Sequence, residues 1–190
     1  MVRLARFISW VGHPLTFVTV TVGVVVTTQL ARGRAFLILA ALVMSFIAPT
    51  ALLLFFGVRS GRWRDADVSV REERKRFYPV AIPLSAIGTA IMWWIGAPRY
   101  ILRGGIVTLS LLTIAAIINL RFKISLHTLF ASFCTAVLFR VSAVDGIAAS
   151  ALTALVFWSR LFLSRHTVLE MAGGLVFGIT GGIIAAWLPI

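Results

Sequence analysis

Hydrophobic positions in this chain fall into long runs separated by short polar stretches. The runs cover residues 7–29, 35–57, 79–97, 104–120, 126–144, 146–163 and 167–188. A helix needs about 20 apolar residues to cross a bilayer core about 30 Å thick, so the runs predict membrane-spanning helices. Most are apolar all round, the pattern of helices that meet lipid on one side and each other on the other. The last turns are tight, and 146–163 can merge with a neighbour, so the pattern predicts six or seven spans. The expected fold class is an all-α, polytopic transmembrane helix bundle. In the last run Gly173, Gly174, Gly178, Gly181 and Gly182 recur at small-residue spacings that permit close helix contact.

The first run resembles a signal peptide, because Arg3 and Arg6 precede it. It is long, however, and passes into Thr27, Thr28 and Gln29 without a small-residue cleavage site, so it is expected to be an uncleaved span. The one long polar stretch runs from Arg59 to Tyr78, with seven bases and four acids.

Composition agrees with lipid as the main solvent. Of 190 residues, 60% are hydrophobic and 13% charged, and the mean hydropathy is +1.01. A soluble domain of this length has too much surface to hide so much apolar side chain. The charge is lopsided, with 18 Lys and Arg against six acids, a net of +12. The bases sit in short segments between apolar runs, which points to lipid headgroups or a phosphorylated ligand. No tract pairs base clusters with stacking aromatics, so nucleic acid is not an expected partner. With seven spans, 13 of the 18 bases share the side of the Arg59–Tyr78 loop, which the positive-inside rule places in the cytoplasm. The single cysteine, Cys134, lies in an apolar run and is expected to be a small buried side chain.

Three polar clusters carry the chemistry. The first is Arg71-Glu72-Glu73-Arg74-Lys75-Arg76-Phe77-Tyr78-Pro79, before the third run. The second is Lys123-Ile124-Ser125-Leu126-His127, at the entrance to the fifth. The third is Arg160, His166 and Glu170, at the entrance to the last. Two runs separate each cluster from the next, and an even number of crossings returns the chain to the same membrane face. Guanidinium forks match phosphate oxygens in charge and shape. Ser125 and Thr167 are candidate N-caps, and the amides behind a cap favour an anion. His166 and Glu170, four apart, share a helical face. A carboxylate on one ring nitrogen raises the nucleophilicity of the other, and His127 can then protonate a leaving oxygen.

These residues resemble the type 2 phosphatidic acid phosphatase superfamily. Ser159-Arg160, His166 and Glu170 match its third motif (Ser-Arg, five residues, His, three residues, Asp), with Glu for Asp. Ser125 and His127 match its second (Pro-Ser-Gly-His), and Arg71 with Tyr78-Pro79 loosely matches its first (Lys, six residues, Arg-Pro). A branch of small bacterial members is closer, with Arg-x-x-Arg, Lys-Ile-Ser-x-His and His-Thr-x-x-Glu, here Arg71/Arg74, Lys123 to His127 and His166 to Glu170. The resemblance spans about Arg71 to Gly182. It implies a metal-independent lipid phosphatase without a cofactor, in which His166 is phosphorylated, Glu170 orients it and His127 is the acid. Arg71, Arg74, Lys123, Ser125 and Arg160 would hold the phosphate. The implied organisation is one domain over 1–190: two N-terminal spans in 1–57, a basic loop with the first motif in 58–78, and a catalytic helical core in 79–190. The chain departs at Leu126, where the motif has glycine, and at Tyr78, where it has arginine.

Plainer roles compete with several of these. Thr167 and Glu170 form a capping-box signature, and Arg165 suits a snorkelling anchor. Arg59, Arg62, Arg64, Lys75 and Arg76 suit headgroup contacts. His13, beside Pro14, is expected to be structural, and Asp65 with Asp67 is expected to satisfy its own loop. Trp93, Trp94 and Tyr100 suit an interfacial belt. The expected partners are a lipid phosphate substrate and membrane lipids, and the expected location is a multi-pass position in the cell membrane. The rival is a non-catalytic membrane protein, either a degenerate lipid-phosphate binder or a small transporter. A transporter more often shows repeats and mid-bilayer charge, neither of which is evident here.

Overall fold

The computed structural model describes residues 1–187, so the expected span 167–188 runs one position past the described residues. Every regular element among them is a helix: α1 (Val2–Val11), α2 (Pro14–Gln29), α3 (Arg32–Arg59), α4 (Arg71–Trp94), α5 (Arg99–Asn119), α6 (Leu126–Val141), α7 (Ala143–Phe162) and α8 (Val168–Trp187). The protein is an all-α, polytopic helix bundle. Helices α3, α4, α5, α7 and α8 are long and apolar enough to cross a membrane, and α1 with α2 makes a sixth crossing if the pair, bent by 49°, is one broken span. The expected span 126–144 is the 16-residue α6. At 1.5 Å per residue it is about 24 Å long, short of a full bilayer core.

Backbone contacts divide the chain into two compact units, Met1–Thr28 with Ile124–Ile190, and Gln29–Lys123. In the first, α6 is enclosed. Eleven of its 16 residues are buried, and it packs on both α7 and α8. Glycine makes the α6–α8 approach possible. A Cβ at Gly174 would stand 2.6 Å from the Ser125 carbonyl oxygen, and one at Gly182 would stand 2.6 Å from that of Phe133. At Gly178 it would strike the Ser132 hydroxyl and the Leu129 carbonyl. These glycines lie one turn apart on α8, so backbone meets backbone along a stripe.

The first run, 7–29, is not one continuous helix. Helix α1 ends at Gly12 and α2 starts at Pro14. Proline suits a first helical position, where its missing N–H costs nothing and its φ is already helical. His13 caps the start, its Nδ1 accepting from the Leu15 N–H at 3.2 Å. Helix α1 packs against α7.

In the second unit, α3 carries a π turn at Val43–Ile47 just before Pro49. Proline donates no hydrogen bond, which upsets the regular ladder there. Helix α4 packs on α3 and α5, and Gly88 brings it close to Ser45 and Phe46 at the π turn. Helix α4 also starts earlier than expected, so the basic stretch 58–78 is helical from Arg71 onward. Glu72 and Glu73 occupy its first turn, where acids complement the helix dipole, and Pro79 and Pro83 are carried inside the helix. At its far end Trp93 and Trp94 are exposed, as interfacial belt residues would be.

Candidate active site

The head of α8 is a capping box. The Thr167 hydroxyl accepts from the Glu170 N–H at 3.3 Å, and Glu170 Oε2 accepts from the Thr167 N–H at 3.2 Å. The same Oε2 lies 2.7 Å from His166 Nδ1. Capping and orienting are therefore done by one carboxylate. With Glu170 ionised, Nδ1 is the donor, and the neutral ring then carries its lone pair on Nε2.

The head of α6 is built alongside. Ser125 is fully buried and caps the helix, its Oγ accepting from the Thr128 N–H at 3.4 Å and from the Thr128 hydroxyl at 3.1 Å. Its own N–H donates to the Glu170 carbonyl oxygen at 3.0 Å. That bond ties the Lys123–His127 cluster to the Arg160–Glu170 cluster and sets the starts of α6 and α8 side by side. His127, two residues on, is 2% exposed. Among the described residues the only non-glycine positive φ angles are at Val68 and Ser164. Leu126 thus stands in an ordinary helical conformation, which requires no glycine.

Arg160, near the end of α7, is wholly buried. A buried guanidinium is costly unless it is bonded, and its Nη1 donates to the Ser9 hydroxyl of α1 at 2.6 Å. The His13 ring stands edge-on to that of His127, with centroids 5.4 Å apart and planes at 86°. Sequence reasoning missed Ser9, which leaves no signal. It read His13 as structural from its place beside Pro14, and the bond from the Leu15 N–H agrees, but local spacing does not reveal its ring contact with His127.

The basic cluster belongs to the second unit, where its residues bond to the connections before α4 and after α5. Arg74, 1% exposed, donates from Nε to the Val68 carbonyl at 2.9 Å. Lys123 donates to the Ser69 carbonyl at 3.2 Å. Arg71 donates to the Arg121 carbonyl at 2.8 Å, and the Asn119 amide donates to the Arg71 carbonyl at 3.1 Å. Val68 takes a left-handed φ of 45°. Asp65 steadies the loop by accepting from both the N–H and the hydroxyl of Ser69. Within this unit Arg71, Arg74 and Lys123 are gathered by backbone carbonyls, while Ser125, His127, Arg160, His166 and Glu170 belong to the first unit.

No family model matches this chain, nor does any curated protein or solved structure.

Proposed function

We propose that the protein is an integral phosphatase of the cell membrane that hydrolyses a lipid phosphate or a polyprenyl (di)phosphate through a phosphohistidine intermediate. The observation that supports it most is the 2.7 Å contact between His166 Nδ1 and Glu170 Oε2, at a helix start bonded to the start that carries His127. In this reading His166 Nε2 attacks phosphorus and the bond from phosphorus to the leaving oxygen breaks. His127 gives that oxygen its proton, releasing the lipid alcohol or lipid monophosphate. Water then attacks the phosphohistidine, the P–N bond breaks, and neutral His127 takes the water's proton. Glu170 holds the same His166 tautomer through both steps.

Arg160 and Ser125, with the amides at the starts of α6 and α8, suit the phosphate oxygens. Arg71, Arg74 and Lys123 enter as the phosphate-binding cations that the resemblance implies. The alternative, a non-catalytic binder of lipid phosphate, predicts affinity without turnover.

The test is phosphate release by purified protein in micelles from phosphatidate, phosphatidylglycerophosphate and a polyprenyl diphosphate. Wild type should release phosphate without added divalent metal, vanadate should inhibit it, and His166→Ala and His127→Ala should lose turnover. Full turnover by His166→Ala, or affinity without release by wild type, would sink the reading.

A further inference from the structure

Ser9 and His13 lie more than a hundred residues from the motif segments of their own unit, and no motif includes them. We propose that Ser9 and His13 are positioning residues of the site, Ser9 setting the Arg160 guanidinium and His13 setting the His127 ring. The functional part of this rests on the phosphatase reading.

Three contacts converge on the corner between α1 and α2. Arg160 is wholly buried and its Nη1 bonds to Ser9, itself 6% exposed. A charge-assisted bond shielded from water fixes the plane of a guanidinium fork, and that plane decides whether two of its donors can face one phosphate. Next along the chain, Gly12 lets the corner seat on α7, because a Cβ there would strike the Val156 side chain and stand 3.0 Å from the Ile8 carbonyl. His13 follows. Its Nδ1 is held by the Leu15 N–H, which places the proton of the neutral ring on Nε2 and fixes the ring to the backbone of α2. That anchored ring is what His127 packs against edge-on at 5.4 Å. A hydroxyl and an imidazole there each reach a residue that the proposed chemistry uses.

The experiment uses full-length protein in detergent micelles, labelled with ¹⁵N-histidine. The chain has three histidines, and His127→Asn assigns the ring of interest. Ser9→Ala is expected to weaken inorganic phosphate binding by about tenfold, the effect of losing one hydrogen bond to a charged group, and Ser9→Thr should restore it to within about twofold. His13→Asn keeps an acceptor for the Leu15 amide, so α2 still starts correctly. It should shift the His127 ring resonances and lower kcat by about 10- to 100-fold with KM little changed, the signature of a misplaced catalytic group. A Ser9→Ala protein that binds phosphate like wild type, or a His13→Asn protein with unmoved His127 resonances, overturns the corresponding half. If wild type releases no phosphate from any lipid phosphate, the phosphatase reading falls, while phosphate affinity and the ring resonances still decide this proposal.

Discussion

The Ser125 amide donates to the Glu170 carbonyl oxygen at 3.0 Å, joining residues 45 positions apart at the mouths of two adjacent helices. Both residues are caps. Ser125 bonds the first turn of α6 through its side chain, and Glu170 bonds that of α8. Each helix start is thus fixed by its own side chains and by its neighbour's backbone. Histidines mounted there inherit that rigidity, which is what a displacement at phosphorus requires of its nucleophile and acid.

Glu170 can be tested apart from its capping role. Glu170→Gln retains an oxygen for the Thr167 N–H but replaces the carboxylate beside His166 with a neutral amide, which can favour the wrong histidine tautomer. We expect kcat to fall by about 10²- to 10⁴-fold, by analogy with the orienting acid of a catalytic triad, while thermal unfolding in micelles moves little. Glu170→Ala should lose both, with a cap loss of about 1 kcal/mol. Equal activity in Glu170→Gln and wild type would remove the orienting role.

The glycine stripe predicts a sharp contrast in stability. Gly178→Ala must push its methyl into the Leu129 carbonyl and the Ser132 hydroxyl. Backbone cannot swing aside, so α8 must shift, at a cost of about 1–3 kcal/mol. Gly23→Ala meets nothing within 4 Å and should leave stability unchanged or raise it slightly through helix propensity. Thermal unfolding of the two variants in the same detergent measures the difference, and comparable midpoints would mean that α6 and α8 pack more loosely than these contacts require.

The proposed chemistry needs His166 neutral and His127 protonated at the moment of attack. Acid removes the His166 lone pair, and base removes the His127 proton, so kcat/KM should fall on both sides of an optimum. In His127→Asn the alkaline limb should flatten as the maximum drops, because no acid is left to titrate. An alkaline limb that survives this substitution unchanged belongs to another group.

Much of this architecture is legible in the apolar runs, because all-round hydrophobicity over about 20 residues has few structural outcomes. The contact of His166 with Glu170 is legible in part: the four-residue spacing marks the pair, but His166 stands ahead of the Thr167 cap and reaches the first turn of α8 from outside the helix. Two features are not. The corner at Gly12-His13-Pro14 divides a run that is apolar on both sides, and only Pro14 hints at the restart. The contacts of Ser9 with Arg160 and of His13 with His127 join residues more than a hundred positions apart, and local spacing holds no information about such pairs. The early start of α4 at Arg71 was hidden by the bases that follow, which resemble a loop even though Glu72 and Glu73 suit a helix start.

Enclosure of α6 can be measured directly. Its Cys134 is the only cysteine in the chain and is 1% exposed, shielded among helices of its own unit. If α6 were a peripheral span facing lipid or detergent, a membrane-permeant maleimide would reach this thiol readily. Enclosed as it is, labelling should require opening of the helix contacts, so in native micelles it should be slower by orders of magnitude than in denaturant and should track unfolding. Gly178→Ala supplies the internal check. By loosening α8 from α6 it should speed Cys134 labelling, whereas Gly23→Ala should not. Fast labelling of the native wild type would mean that α6 is not the enclosed helix described here, and the fixed placement of His127 at its head would lose its support.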